Sequence, residues 1–541
     1  MFLGALIAGV TLYSPALHGR FVLDDLTLPF NRLSIRGVRP VLMFSYWLNY
    51  QLWGAGPFSQ HVVNLFIHVT NTALVFLILF RLLAMAGWAR RRATFGSVAG
   101  AVVFLIHPLQ TESVSYIAGR SESLASMFVL LAYAVFLYRR HESISWTEAS
   151  MVIVLFALGA GAKESAISLV GILILTDLYW PLAFSIHGLK KNRRLYLLMA
   201  PAAAAVAIGV FRMLATAQTA GFAAARLHWF QYAFTEARAM FTYMRLAIIP
   251  LGQSLDHDYP ASQTVTAHGA IFYIVLLAIL VSAAVALRRR YPLFGFGLLS
   301  FLIWLAPTSS FVPIDDPLVE RRMYLALIGL ILIGCEAASR LPLSRPAGYS
   351  ILASLALVFS VLCYQRNELW GQPDRLVASA AMQSIHNPRP LLNFTEVLIR
   401  QNRCDTAIPY LERAERALPG NYYVHVAWGR ILGCLGRGQE AIERLQRAAR
   451  IWPTSEVYES MGLVYGQMGL SGEAGLALKR AVQLNPNSGS AHGSLGLWYE
   501  KVNNPAAAER EYRQSLNLDR NDSGARFGFL RVHRGIGQRT P

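Results

Sequence analysis

Up to about Tyr364 the apolar positions come in long runs broken by short polar stretches; beyond it they recur at helical spacing among charged residues. Long apolar runs read as spanning helices, each needing about 20 residues to cross a bilayer core. The candidates are 1–17, 62–83, 96–107, 122–138, 149–160, 165–180, 195–213, 268–287, 293–310, 322–338 and 347–364. Several are shorter than a span, so their ends are expected to reach into the flanking polar residues. Residues 1–17 show neither a basic leader region nor a small-residue cleavage site and are read as a retained, short span. A further stretch, 231–250, is ambiguous, because Glu236, Arg238 and Arg245 interrupt it and Pro250 ends it.

Positive charge orders these segments. With 1–17 running outward, the loops due in the cytoplasm hold Arg90-Arg91-Arg92, Arg139-Arg140, Lys190-Lys191 with Arg193-Arg194, Arg288-Arg289-Arg290 and Arg340. The alternation holds only if 231–250 does not cross once, so it is expected to be re-entrant, interfacial or a non-crossing pair of short helices. That leaves eleven spans and puts everything after Tyr364 outside the cytoplasm. In the first outward loop, 18–61, aromatic and aliphatic residues from Arg39 to Tyr50 fall at helical spacing, which predicts a helix lying in the interface.

The polar tail is repetitive. Ala407, Ala441, Ala474 and Ala508 recur at spacings of 34, 33 and 34, with Gly429, Gly462 and Gly496 and with Pro419, Pro453 and Pro486 in the same register. Small residues let paired helices approach, and proline stops the second helix of each pair. The pattern resembles the tetratricopeptide repeat, in about four copies at 388–420, 421–454, 455–487 and 488–521, with Thr395 in the first where glycine belongs. Such repeats stack into a curved solenoid whose concave face suits an extended peptide. The predicted division is therefore a membrane domain over 1–365, a connector over 366–387, the repeats over 388–521 and a cap and tail over 522–541.

Composition agrees. The 541 residues are 54% apolar and 15% charged, well under the roughly 25% charged residues of soluble domains. The net charge of +18 sits beside apolar runs as a topology signal, not on a phosphate-binding face, so no nucleic-acid partner is expected. Cys335, Cys363, Cys404 and Cys434 show no metal spacing and no disulfide framework. The Arg- and Ala-rich text suggests a GC-rich bacterial genome, hence a bacterial inner membrane.

The outward segments collect the chemistry: Asp24-Asp25, His107 through Glu112, Gly119-Arg120-Ser121-Glu122, Lys163-Glu164, Leu255-Asp256-His257-Asp258-Tyr259-Pro260, and Glu320-Arg321-Arg322-Met323-Tyr324. Ionisable groups near a bilayer commonly line a cavity or pathway, and all of these fall on one side. Carboxylates beside Arg and Lys suit a ligand with a phosphate leaving group and a hydroxyl to be deprotonated.

These motifs, with Phe21-Val22-Leu23, Arg39-Pro40 through Asn49-Tyr50, Phe58 to His61, Asn64 and His68, resemble in order the transmembrane-and-tetratricopeptide-repeat O-mannosyltransferase family. The resemblance covers nearly the whole chain. It implies an all-α fold, with a membrane domain like that of the GT-C glycosyltransferases followed by a repeat solenoid. It also implies inverting transfer of a mannose-like sugar from a polyprenyl-phosphate donor, with an acidic residue of the first outward loop as base. On that reading Asp24 or Asp25 takes the proton while its neighbour orients the acceptor or holds a divalent metal. His107, Glu112, Glu164, Asp256 and Asp258 shape the acceptor site. Arg120, Lys163, Arg321, Arg322 and Tyr324 are candidates for the donor phosphate, with the shares of Arg321 and Arg322 left open. The repeats would present an extracytoplasmic protein or peptide. The alternatives are transfer to a surface glycan or lipid, and a non-enzymatic scaffold or transporter.

Overall fold

Each apolar run becomes a helix, which is the only open-ended way to satisfy backbone N–H and C=O groups without water. The computed structural model describes residues 2–30, 39–139, 142–180, 184–216, 227–342, 344–518 and 522–537. Arg140 of a predicted cytoplasmic loop, the end of the fourth repeat at 519–521 and tail residues 538–541 lie outside them. No strand forms among the described residues, and the chain divides into two units, Met1–Leu376 and Val377–Pro541.

The first unit holds α1 (Phe2–Leu17), α2 (Pro40–Trp53), α3 (Pro57–Met85), α4 (Arg90–Ile106), α5 (Thr111–Ser115), α6 (Arg120–Leu137), α7 (Trp146–Ala162) and α8 (Ser168–Tyr179). After these come α9 (His187–Lys191), α10 (Arg193–Thr216), α11 (Trp229–Ile248), α12 (Ala270–Ala286), α13 (Pro292–Leu305), α14 (Met323–Arg340) and α15 (Arg345–Trp370). Among the described residues, six helices are long and apolar enough to cross a membrane: Pro57–Met85, Ile117–Leu137, Arg193–Ala215, Ala267–Ala286, Glu320–Arg340 and Pro346–Trp370. The pair Arg90–Ile106 and Pro108–Ser115, bent by 53°, would make a seventh, and Leu3–Leu17, Trp146–Ala162 and Pro292–Leu305 are apolar but shorter. The ambiguous stretch is a single helix, α11, not two, with Tyr232, Glu236, Met240 and Tyr243 buried along one face. The interface segment is helical as expected: α2 buries Leu42, Tyr46 and Asn49 and exposes Phe44, Leu48 and Leu52, one turn apart.

The helix α15 runs through residue 366, where the connector is expected to start. α15 continues to Trp370, and its end packs against the end of α1 so closely that a Cβ on Gly371 would stand 2.3 Å from the Pro15 carbonyl oxygen. Asn367 locks the same turn, donating to the Leu12 carbonyl at 3.0 Å and accepting from the Ser115 hydroxyl at 2.5 Å.

After α16 (Pro373–Gln383), the second unit is a run of antiparallel pairs: α17 (Pro388–Arg400) with α18 (Cys404–Ala417), α19 (Tyr422–Cys434) with α20 (Gly438–Ile451), α21 (Ser455–Gln467) with α22 (Ser471–Leu484), and α23 (Gly489–Lys501) with α24 (Pro505–Leu518). A last helix, α25 (Ser523–Gly537), packs on α24. The repeated small residues sit where the helices of a pair meet. Ala407, Ala441, Ala474 and Ala508 are buried, and a Cβ on Gly429 or Gly462 would lie 2.4 or 2.5 Å from Leu445 or Leu478. Pro419, Pro453 and Pro486 each stand two residues past the end of a second helix.

The disulfide expectation is overturned: Cys404 and Cys434 are joined, with Cα atoms 6.2 Å apart. Their separation of 30 residues is close to one repeat, so stacking brings the start of α18 beside the end of α19. Two isolated cysteines gave no spacing signal of that.

The glycine register gives a direct test. Gly462→Leu should destabilise the repeat unit by roughly 1–3 kcal/mol through overpacking, seen as a lower melting temperature in circular dichroism. Gly472→Ala, where a Cβ would meet nothing within 4 Å, should leave it unchanged or raise it.

Candidate active site

The first outward loop turns on a short 3₁₀ segment, Leu23–Thr27. Successive side chains there diverge by about 120°, so adjacent aspartates cannot share an environment. Asp25 is 2% exposed and accepts the Val22 N–H at 3.0 Å and the Ala118 N–H at 2.8 Å. Burial, the largest influence, raises its pKa to about 7 despite these hydrogen bonds. Asp24 is exposed; its N–H donates to the Tyr116 hydroxyl at 3.1 Å, and that hydroxyl also meets its carboxylate. Tyr116 is stacked on Trp370 with ring centroids 5.6 Å apart, and Val22, Tyr116, Trp370 and Leu255 share one small apolar cluster. Segments around residues 24, 116, 255 and 370 thus meet at one end of the bundle.

Around them lies a ring of ion pairs. Glu112 accepts the Arg321 N–H at 3.0 Å and its guanidinium at 2.5 Å. Arg39, the residue before α2, grips Glu164 through two hydrogen bonds of 3.0 and 2.7 Å. Burial would raise the Glu164 pKa, but Arg39 holds it below the usual carboxylate range. Lys163 pairs with Glu122, and burial pushes its pKa down. Arg39, Lys163, Glu164, Glu122 and Arg321 are near enough for their charges to act on one another. Glu320, fully buried, accepts from the Ser254 N–H (2.8 Å), Gln253 Nε2 (2.7 Å) and His257 Nε2 (2.9 Å), fixing the loop that carries Asp256 and Asp258. Both of these aspartates are partly exposed. A small cleft runs between Glu122 and Arg322, with Ser165, Ser168 and Thr308 on its wall.

Three predicted site residues are turned into the bundle instead. Arg120 is fully buried and spends its donors on Asn64 Oδ1 (2.6 Å), Asn49 Oδ1 (3.1 Å) and Gln60 Oε1 (2.8 Å), with its guanidinium over Tyr46. His68 Nε2 faces the Leu105 carbonyl at 3.1 Å and so carries the ring proton, which leaves Nδ1 to accept from the Tyr324 hydroxyl at 2.8 Å, while the same hydroxyl receives the Asn71 amide at 3.0 Å. His107 accepts the Leu109 N–H on Nδ1, leaving Nε2–H for the Ala247 carbonyl at 3.0 Å. Arg322 is intermediate: it lines the cleft but is tied to the Asp316 (2.6 Å) and Pro317 (3.1 Å) carbonyls and lies 3.7 Å from Glu236. The sequence reading of the site passed over Tyr116, Arg366 and Trp370. Tyr116 carries no pattern of its own, and the other two follow the point where the apolar run was taken to end.

Comparison with known proteins fits this architecture. The tetratricopeptide-repeat family matches residues 455–488. Protein O-mannosyl-transferase TMTC3 of Homo sapiens is 23% identical over 556 residues, covering 92% of this chain and 59% of that protein. A protein O-mannosyl-transferase of Caenorhabditis elegans is 25% identical over 383 residues, covering 68% and 51%. The chain is a homologue of the TMTC protein O-mannosyl-transferases. It spans between half and three fifths of the length of these curated relatives. Over 144 residues, 26% of the chain and 16% of the relative, identity to Tmtc1 of Drosophila melanogaster reaches 33%. Among solved structures, a thermophilic tetratricopeptide-repeat protein of Thermus thermophilus aligns with 34% of this chain and 96% of its own, at 17% identity and a TM-score of 0.28.

The Asp25 environment predicts a pH signature. An unfolded aspartate has a pKa of about 3.9, whereas folded Asp25 holds its proton to about pH 7. Between those values the folded state binds the extra proton, so this group's contribution to stability falls as pH rises. Asp25→Asn, which cannot ionise, should flatten the melting-temperature profile between about pH 4 and 7; an unchanged slope would contradict the burial argument.

Proposed function

We propose that the chain is an integral-membrane glycosyltransferase that moves a mannose-like sugar from a polyprenyl-phosphate donor to a Ser or Thr hydroxyl of an extracytoplasmic protein. The observation carrying the reading is one exposed carboxylate, Asp24, held by Tyr116 beside a cluster of paired cations at one end of an apolar helical bundle. The O-mannosyl-transferase names of the relatives supply the sugar and the protein acceptor.

In this reading the acceptor oxygen attacks the anomeric carbon on the face opposite the phosphate. The carbon–oxygen bond to the phosphate breaks, and its electron pair leaves with the polyprenyl phosphate, which gains a negative charge. Asp24 takes the hydroxyl proton as the new bond forms. Asp25 is a positioning residue, since its carboxylate is occupied by backbone N–H groups. Arg321, 30% exposed in its side chain, faces the departing charge with help from Lys163 and Arg39. Among the described residues no three His, Cys, Asp or Glu side chains converge into a metal site, so no step is routed through a metal.

Sidedness follows the charge pattern: an inner membrane, with the loops and repeats in the periplasm. The Cys404–Cys434 bridge supports it, because disulfides persist in oxidising compartments. Protein acid-trapped from cells and denatured should add two maleimides without reductant and four with it, since the chain has four cysteines and Cys335 and Cys363 are free. Four without reductant would place the repeats in a reducing compartment.

The activity test uses purified protein in detergent with a polyprenyl-phosphate mannose and a Ser/Thr-containing peptide. Asp24→Asn should lower kcat by roughly 10²–10⁴ with an unchanged melting temperature. Transfer at the wild-type rate by this variant would sink the choice of base.

A further inference from the structure

One buried cation in the membrane unit is left with hydrogen-bonding capacity that the fold does not use. Arg366 lies one turn before the end of α15 and is 8% exposed, yet its Nε and Nη2 have no hydrogen-bond partner. The nearest carboxylate, Glu320, stands 3.9 Å from Nη2, too far for a hydrogen bond, and already receives three donors from Gln253, Ser254 and His257. The guanidinium lies 6.0 Å from the Trp370 ring, and the Trp370 indole N–H, also buried, has no partner either. Orphan buried donors each carry a desolvation penalty of about 1–3 kcal/mol, more when charged. Two such residues four apart on one helix leave a donor surplus that an anion would satisfy. The turn is rigid, because Asn367 is bonded to α1 and to Ser115.

The ligand class follows from position. The end of a long apolar helix is where a span meets lipid headgroups, and the anion most abundant at that depth is a phosphate ester. Trp370 also stacks on Tyr116, whose hydroxyl meets Asp24.

We propose that Arg366 and the Trp370 indole N–H form a cradle for the phosphate of a prenyl phosphate, the leaving group of the transfer described above. The assignment rests on the glycosyltransferase reading for its role in turnover, but not for binding. Planar guanidinium donors match a phosphate that gains charge as the glycosidic bond breaks, so the cradle strengthens as the reaction proceeds.

The test uses full-length protein in detergent: wild type, Arg366→Gln, Arg366→Lys and Trp370→Phe. Native mass spectrometry reads retention of undecaprenyl phosphate, with undecaprenol as the phosphate-free control and inorganic phosphate as competitor. Arg366→Gln is expected to weaken undecaprenyl phosphate binding by about tenfold or more, the loss of one charge-assisted contact. Undecaprenol binding should not change. Arg366→Lys should restore part of the loss, and Trp370→Phe should weaken binding less than Arg366→Gln. In turnover, Arg366→Gln should raise the donor KM and lower kcat. Displacement by millimolar inorganic phosphate would assign the cradle to phosphate in general, and resistance to it would assign the cradle to the lipid headgroup.

Equal binding by wild type and either Arg366 variant, at unchanged melting temperature, would overturn the proposal and leave Arg366 as a counter-ion to Glu320. If Arg366-dependent binding is seen but no sugar moves, the glycosyltransferase reading fails and the cradle stands. If sugar moves and Arg366→Gln matches wild type in KM and kcat, the cradle fails and the reading stands.

Discussion

Asp25 is the point on which the proposed active end depends. Its carboxylate receives N–H groups from Val22 and from Ala118, 93 residues further on, and so ties the first loop to the start of α6. Taking a carboxylate out of water costs several kcal/mol unless its lone pairs are filled. Here backbone donors offset only part of that cost, and the raised pKa of about 7 shows that Asp25 meets the rest by keeping its proton over most of the acidic range. The 3₁₀ turn then decides its neighbour. With Asp25 directed inward, Asp24 is rotated away and left exposed. One acid anchors, and the other faces outward, where an acceptor can reach it.

The same rule, that a buried charge must be compensated, organises the rest of this end. Glu112, Glu122 and Glu164 each face a cation on another segment: Arg321, Lys163 and Arg39. Such pairs add little net stability, because desolvation consumes most of the attraction. What they provide is position. Each joins segments far apart in sequence, so the loops that carry the chemistry are fixed by charge pairing where apolar packing gives out. Arg321 shows the consequence, being held through Glu112 yet 30% exposed.

Much of this was legible in the sequence, and the gaps have physical causes. Apolar runs and their flanking arginines locate helices because lipid tolerates few alternatives. The repeats could be read from period, small residues and proline together, and the close approach of Gly429 to Leu445 and of Gly462 to Leu478 explains why that register is strict. Motif clustering named segments that the fold gathers at one end of the bundle, but it could not say which way a side chain points. Arg120, His107 and Tyr324 lie in motifs whose other members are buried or half-buried too, and their polar atoms are spent on partners inside the bundle, which residue type alone does not reveal. Arg366 was missed for a different reason. Its charge looked like the end of the membrane segment, when the helix continues to Trp370.

The disulfide belongs to the same comparison between local signal and tertiary outcome. In three repeats a glycine lets the two helices of a pair close on each other. In the first, Thr395 occupies that place, buried, with its hydroxyl turned back to the Leu392 carbonyl at 2.7 Å. The first pair thus carries a larger side chain at the position where the other pairs have glycine, and it is the least regular of the four. Cys404–Cys434 spans the joint between the first and second repeats. In the chain-entropy account, closing a loop of that length contributes about 3–4 kcal/mol, comparable to a well-packed core side chain. A repeat array gains stability through its neighbours, so fastening its least regular member to the next repeat stabilises the end at which the array begins.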